Sequence, residues 1–135
     1  MEIVREMRAE LAATIKSFKL EDHVFLLGFI PEASRYLPGC DYVLLPSVKE
    51  GLPYVLLEAI RAGRSIVATQ VGGIADILSG YPNGRVVAPR RPRAIPDAIL
   101  ELERAKTATG PETERMRNFG LHEMVRATSA LYRGS

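Results

Sequence analysis

Two carboxylates, Glu50 and Glu58, bracket a break in the apolar pattern of the stretch Pro46-Ser47-Val48-Lys49-Glu50-Gly51-Leu52-Pro53-Tyr54-Val55-Leu56-Leu57-Glu58-Ala59-Ile60-Arg61-Ala62-Gly63. Gly51 and Pro53 turn the chain between them. Pro53 suits a first helical turn, and Gly63 stands where a helix end needs a residue that tolerates positive φ. With Glu50 in the loop and Glu58 just over one turn into the helix, the carboxylates lie roughly 10 Å apart by helix rise. That separation is too large for a shared proton. An ionised carboxylate accepts hydrogen bonds from hydroxyls, so the pair suits two separate hydroxyl-bearing parts of one extended ligand. Glu2 and Glu10 repeat the interval within an ordinary amphipathic pattern. Spacing by itself therefore leaves open a plain loop charge and a plain helix charge.

The elements that position this stretch follow from periodicity. Tyr42-Val43-Leu44-Leu45 has the length and content of a buried strand, and Pro46 stops it because proline cannot donate to a sheet ladder. Residues 54–62 are strong helix formers. A loop that leaves a parallel strand and enters a helix is where open α/β sheets bind anions, because amide N–H groups and the helix dipole both point there. Ile3, Val4, Met7, Leu11, Ile15 and Phe18 recur at helical intervals, predicting an amphipathic helix over 2–18 that needs a sheet to lie on. Strands are expected at 24–28, 42–45, 66–69 and 85–88. Helices are expected at 31–37, 54–62, 73–78 and from Pro96 to about Lys106. A loop at 107–111 and a last helix carrying Met116, Phe119, Met124, Leu131 and Tyr132, interrupted near Gly120, follow. Strands alternating with helical crossovers mean a parallel sheet, so the fold class is α/β.

At 135 residues the chain has the size of one domain, and 47% hydrophobic with 25% charged residues is ordinary for a soluble globular fold. A net charge of +2 argues against a dedicated nucleic-acid binder. The single cysteine, Cys40, excludes an internal disulfide and fits a reducing compartment, so the expected localisation is cytoplasmic. No apolar run approaches the roughly 18 residues of a membrane span. Gly72-Gly73 reads as a tight strand-to-helix turn rather than a phosphate cradle, since a full phosphate-loop pattern is missing. Neither histidine has partners that suggest a metal site. Arg90, Arg91 and Arg93 form either a solvated loop or a contact for anionic lipid at a membrane periphery.

Pro46-Ser47, then Glu50-Gly51-Leu52-Pro53 and Leu56-Leu57-Glu58-Ala59, resemble the E-x7-E signature of retaining GT-B glycosyltransferases of the group 1, or family 4, type. Val24-Phe25-Leu26-Leu27-Gly28-Phe29-Ile30, Asp41-Tyr42-Val43-Leu44-Leu45-Pro46-Ser47, Ile66-Val67-Ala68-Thr69, Val71-Gly72-Gly73-Ile74, Asn83-Gly84 and Leu131-Tyr132 follow the same family's order and intervals. The resemblance covers nearly the whole chain, residues 1–135, as the later part of a C-terminal, donor-binding domain. It implies a nucleotide-sugar donor, such as a UDP-, GDP- or ADP-sugar, as substrate, with no cofactor and no structural metal. It implies that Glu50, the candidate catalytic residue, sits against the hydroxyls of the transferred sugar. The amides of Gly51, Leu52 and Tyr54 would face sugar and phosphate, Pro53 withdrawing one N–H from that donor-binding loop. Glu58 would bind the ribose hydroxyls, and the backbone at Phe29 and Ile30 would cradle the base.

The family's donor domain is a six-stranded Rossmann-like sheet in the order 3-2-1-4-5-6, and the resemblance begins after the second strand. The chain would then carry strands 3 to 6 of an incomplete sheet, with a gap between 3 and 4. The strand at 24–28 is therefore expected to be poorly supported, while the arrangement around 46–63 persists. The diphosphate-pairing Gly-Arg and Lys positions and the acceptor-binding N-terminal domain would be supplied by a missing domain or a complementing chain. The competing reading is non-enzymatic, a truncated or split-enzyme nucleotide-binding module.

Overall fold

In the computed structural model, residues 2–51 and 53–108 are described. They fall into two units, one up to Ala33 and one from Ser34 on.

The first unit is built on α1 (Glu2–Ser17). Its end is closed by the backbone itself: Leu20 N–H donates to the Ile15 carbonyl and Lys19 N–H to that of Lys16, each at 3.0 Å, with Lys19 at φ 54°. This paired closure satisfies carbonyls that a helix end leaves without partners. Beyond it, the Arg8 guanidinium donates to the Leu26 carbonyl at 2.8 Å. The expected strand at 24–28 does not form. Apolar content suits a strand, but a strand exists only as part of a ladder, and among the described residues none pairs with this segment. Gly28 adopts φ 75°, outside the extended region. Phe25 and Leu27 are exposed, and so are Val4, Met7 and Leu11 on the apolar stripe of α1.

The second unit is a three-stranded parallel sheet in the order β1-β2-β3, formed by β1 (Tyr42–Leu45), β2 (Ser65–Thr69) and β3 (Gly84–Val87). There are three strands rather than four, and they are the last three of those expected. A 3-10 helix, Ala33–Gly39, precedes β1, replacing the short helix expected at 31–37. Between the strands run α2 (Tyr54–Arg61) and α3 (Ile74–Leu78), and α4 (Ala94–Ala108) follows β3. Pro96 lies in the first turn of α4, where a missing N–H costs no intrahelical bond.

β2 is the central strand and is buried at every residue, as expected of a parallel strand covered on both faces. Its alternation sorts the core. Ile66 and Ala68 pack with Val43 of β1, with Leu56, Ala59 and Ile60 of α2, and with Ile74 and Leu78 of α3. Val67 points the other way, against Ala98 and Leu102 of α4. At the end of α2, Gly63 takes φ 68°, its N–H donates to the Ile60 carbonyl, and Arg64 N–H donates to that of Ala59. Gly63 is the left-handed stop that its position after the helix formers predicts. The expected tail helix lies outside the described residues.

Candidate functional site

The loop from β1 to α2 is held from three directions. Inside it, the Ser47 hydroxyl donates to a carboxylate oxygen of Glu50 at 2.9 Å. From β2, the Thr69 hydroxyl reaches the carbonyl of Leu45 at 3.2 Å and that of Ser47 at shorter range. From the following turn, Gly72 approaches at φ 52°: a Cβ there would stand 2.5 Å from the Glu50 carbonyl oxygen and 2.7 Å from that of Gly51. Both obstructing atoms are backbone and cannot be moved as a flexible side-chain tip could. Only glycine fits this approach. At Gly72 the expected turn geometry is required by this contact, whereas nothing lies within 4 Å of a Cβ built at Gly73.

α2 begins at Tyr54, with Pro53 as its N-cap in an extended conformation (φ −74°, ψ 114°) and no side-chain cap. Pro53 thus stands one step before the first helical turn rather than inside it. The first N–H groups of a helix lack intrahelical acceptors and carry the positive end of its dipole. A mouth of this kind, uncapped by any side chain of residue 53, offers hydrogen-bond donors to an anion. α2 buries Leu56, Ala59 and Ile60. Tyr54 and Glu58, one turn apart, are both exposed and share its outer face. Glu50 and Gly51 are exposed as well. The two carboxylates therefore reach solvent on either side of one helix start.

Leu52 lies outside the described residues. Phe29 and Ile30 belong to the first unit, Phe29 being 92% exposed and Ile30 half-buried. Among the described residues, no three His, Cys, Asp or Glu side chains gather as metal ligands do, and no helix is long and apolar enough to cross a membrane. Arg90 and its neighbours Arg91 and Arg93 are exposed, Arg90 at φ 58°.

Three residues hold this region in roles that no sequence pattern marks: two support the loop, and one supports the far end of α2. Ser47 and Thr69 stand in motifs that carry the family resemblance, but no spacing ties either to Glu50. Arg64 is the third. Its guanidinium donates to the carbonyls of Ala62, Pro38 and Cys40 at 2.8, 3.1 and 3.1 Å, and its own carbonyl accepts the Tyr81 hydroxyl at 2.8 Å. This arginine ties the far end of α2 to the segment entering β1. Tyr81 is buried, and loss of water pushes its phenol pKa above the usual 10.0, opposed by a hydrogen bond with Asn83 and by the charge of Arg64.

Fold and site together define a Rossmann-like α/β domain whose exposed carboxylates flank the helix start after a parallel strand. The chain belongs to the glycosyl transferases of group 1, whose family model matches residues 3–104. It is 31% identical over 114 residues to an amylovoran biosynthesis glycosyltransferase of Erwinia amylovora, covering 78% of this chain and 28% of that protein. It is 30% identical over 122 residues to a putative colanic acid biosynthesis glycosyltransferase of Escherichia coli, covering 84% of this chain and 30% of the relative. Among solved structures, sucrose-phosphate synthase from Thermosynechococcus elongatus superposes with a TM-score of 0.73 at 23% identity, over 96% of this chain and 34% of that one. That likeness is one of fold. The chain spans about a third of the length of the curated relatives it matches.

Proposed function

We propose that this chain forms the donor-binding part of a retaining glycosyltransferase, taking a nucleotide sugar on the loop between β1 and α2. The observation that carries the reading is the placement of Glu50 and Glu58 on either side of the α2 start, with Glu50 held by Ser47, in a chain that matches the group 1 family across this region. Glu50 is assigned to the hydroxyls of the transferred sugar and Glu58 to the ribose. The amides of Gly51, Leu52 and Tyr54 are assigned to sugar and phosphate.

In the reaction, the bond between the anomeric carbon and the diphosphate oxygen breaks, an acceptor hydroxyl oxygen bonds to that carbon with the configuration retained, and the hydroxyl proton passes to the released diphosphate. Negative charge accumulates on the leaving diphosphate. The uncapped start of α2 supplies amide donors and a positive dipole end where that charge develops, which favours departure without a metal ion. Glu50 fixes the sugar's orientation, so its role is positioning of the reacting ring rather than attack on it. Acceptor binding is assigned to a further domain or a complementing chain, on the cytoplasmic side of the cell.

Titration of the chain with UDP-glucose, GDP-mannose and ADP-glucose while following thermal unfolding tests the proposal. A ligand that binds only the folded state stabilises it by about 2.7 kcal/mol at a hundredfold excess over its Kd. One of the three should raise the melting temperature in a saturable way. No shift with any of them at millimolar concentration would contradict donor binding.

A further inference from the structure

We propose that Thr69 and Gly72 are positioning residues that set the sugar-facing loop from behind, through Ser47 to the carboxylate of Glu50. The proposal rests on the donor reading of that loop and adds a chain of support outside it. The register between β1 and β2 runs to Leu45↔Ala68, and Thr69, one residue on, pairs with Val87 of β3. Just where the ladder with β1 stops, the Thr69 hydroxyl takes over. It is 4% exposed and has one proton to give, with the carbonyls of Leu45 and Ser47 as its acceptors.

The link passes onward in two steps. Ser47, tethered by its backbone to Thr69, turns its own hydroxyl to Glu50 at 2.9 Å. Gly72 closes the other side, its α-carbon pressed so near the carbonyls of Glu50 and Gly51 that a methyl would overlap both. The carboxylate of an exposed glutamate would otherwise sample several rotamers. Here one oxygen is engaged by Ser47, and the backbone beneath it is confined between β2 and the turn that follows. Neither Thr69 nor Gly72 needs to touch a ligand to act this way. Their effect should be felt by whatever contacts Glu50 and spared by whatever contacts Glu58.

The test pairs Thr69→Val, which keeps the shape and removes the hydroxyl, with Thr69→Ser, which restores it, and adds Gly72→Ala. The first readout is the amide NMR spectrum of the ligand-free full chain. Thr69→Val should move the Ser47, Glu50 and Gly51 resonances and leave those of Ala98 and Leu102 in place, and Thr69→Ser should return them. The second is affinity for UDP-glucose, GDP-mannose and ADP-glucose against UDP, GDP and ADP. Thr69→Val should weaken the bound sugar nucleotide up to about tenfold, in line with loss of one hydrogen bond, and its free nucleotide less than about twofold. Gly72→Ala, where it folds, should do the same. Loop resonances that stay in place in Thr69→Val, or equal losses for nucleotide and sugar nucleotide, would overturn the proposal. Resonances that move and are restored by serine while no probe binds the parent chain would uphold the positioning of Glu50 and count against the donor reading alone.

Discussion

The Ser47 hydroxyl is bound to the Glu50 carboxylate at 2.9 Å within the loop that joins β1 to α2. A hydrogen bond to an ionised group is worth about 1.5–3 kcal/mol when buried and less in solvent. Both residues lie at the surface side of the loop, so the bond orients a side chain rather than stabilising the fold. Ser47→Ala should therefore leave the melting temperature nearly unchanged while weakening a sugar nucleotide more than its free nucleotide, as isothermal titration would measure. A large loss of stability instead would assign Ser47 to the scaffold.

Leu56 belongs to the scaffold. It is fully buried between α2 and the sheet, among Val43, Ile66 and Ile74. Leu56→Ala should cost about 2–5 kcal/mol, the transfer term plus the cavity left behind. Chemical denaturation at constant m-value would show it as a lowered midpoint. A change below about 1 kcal/mol would mean that the packing around α2 collapses to fill the space.

Tyr81 gives the fold a response to alkali. Its phenol loses a proton less readily when folded than when unfolded, because burial disfavours the charged form. Above the unfolded pKa of 10.0 the unfolded chain gives up that proton first, so it binds fewer protons than the folded chain and stability falls as pH rises. The contribution is complete below 10.0 and is lost as pH climbs through the raised folded value. Tyr81→Phe should remove this part of the alkaline decline. At neutral pH it should cost about 1 kcal/mol for the bond to the Arg64 carbonyl. Equal alkaline declines in the two proteins, followed by unfolding midpoints from pH 8 to 11, would contradict it.

Much of this architecture is legible in the sequence. β1, β2 and β3 fall within one residue of the runs at 42–45, 66–69 and 85–88, because apolar β-branched stretches between turn residues have few other uses in a short chain. Gly63 at the end of α2 was legible for the same kind of reason, since left-handed backbone selects glycine. The segment at 24–28 was misread because its sequence shows strand-like content but cannot show whether a neighbour completes the ladder. The expectation that this element would be poorly supported, drawn from strand order rather than composition, describes it better. In the site, the carboxylates could be picked out by their place around a helix start. Thr69 and Gly72 could not be tied to Glu50, because their contacts join positions 21 to 24 residues apart along the chain, and no local pattern records such a distance.

Transfer requires an acceptor site as well as a donor site. The isolated 135 residues, mixed with a sugar nucleotide that binds and a hydroxyl-bearing acceptor, should show slow hydrolysis at most. Product analysis by mass spectrometry would reveal a glycosylated acceptor if the chain by itself were a complete transferase, which would overturn the assignment of acceptor binding to another domain or chain.

Glu50 and Glu58 divide the central claim between them, because one is assigned to the sugar and the other to the ribose. The most direct measurement compares the affinities of Glu50→Ala and Glu58→Ala for a sugar nucleotide and for its free nucleotide. Glu58→Ala should weaken both ligands alike, by an amount of order 1.5–3 kcal/mol, whereas Glu50→Ala should weaken only the ligand that carries the sugar. Equal losses of free-nucleotide affinity in the two variants would contradict the account.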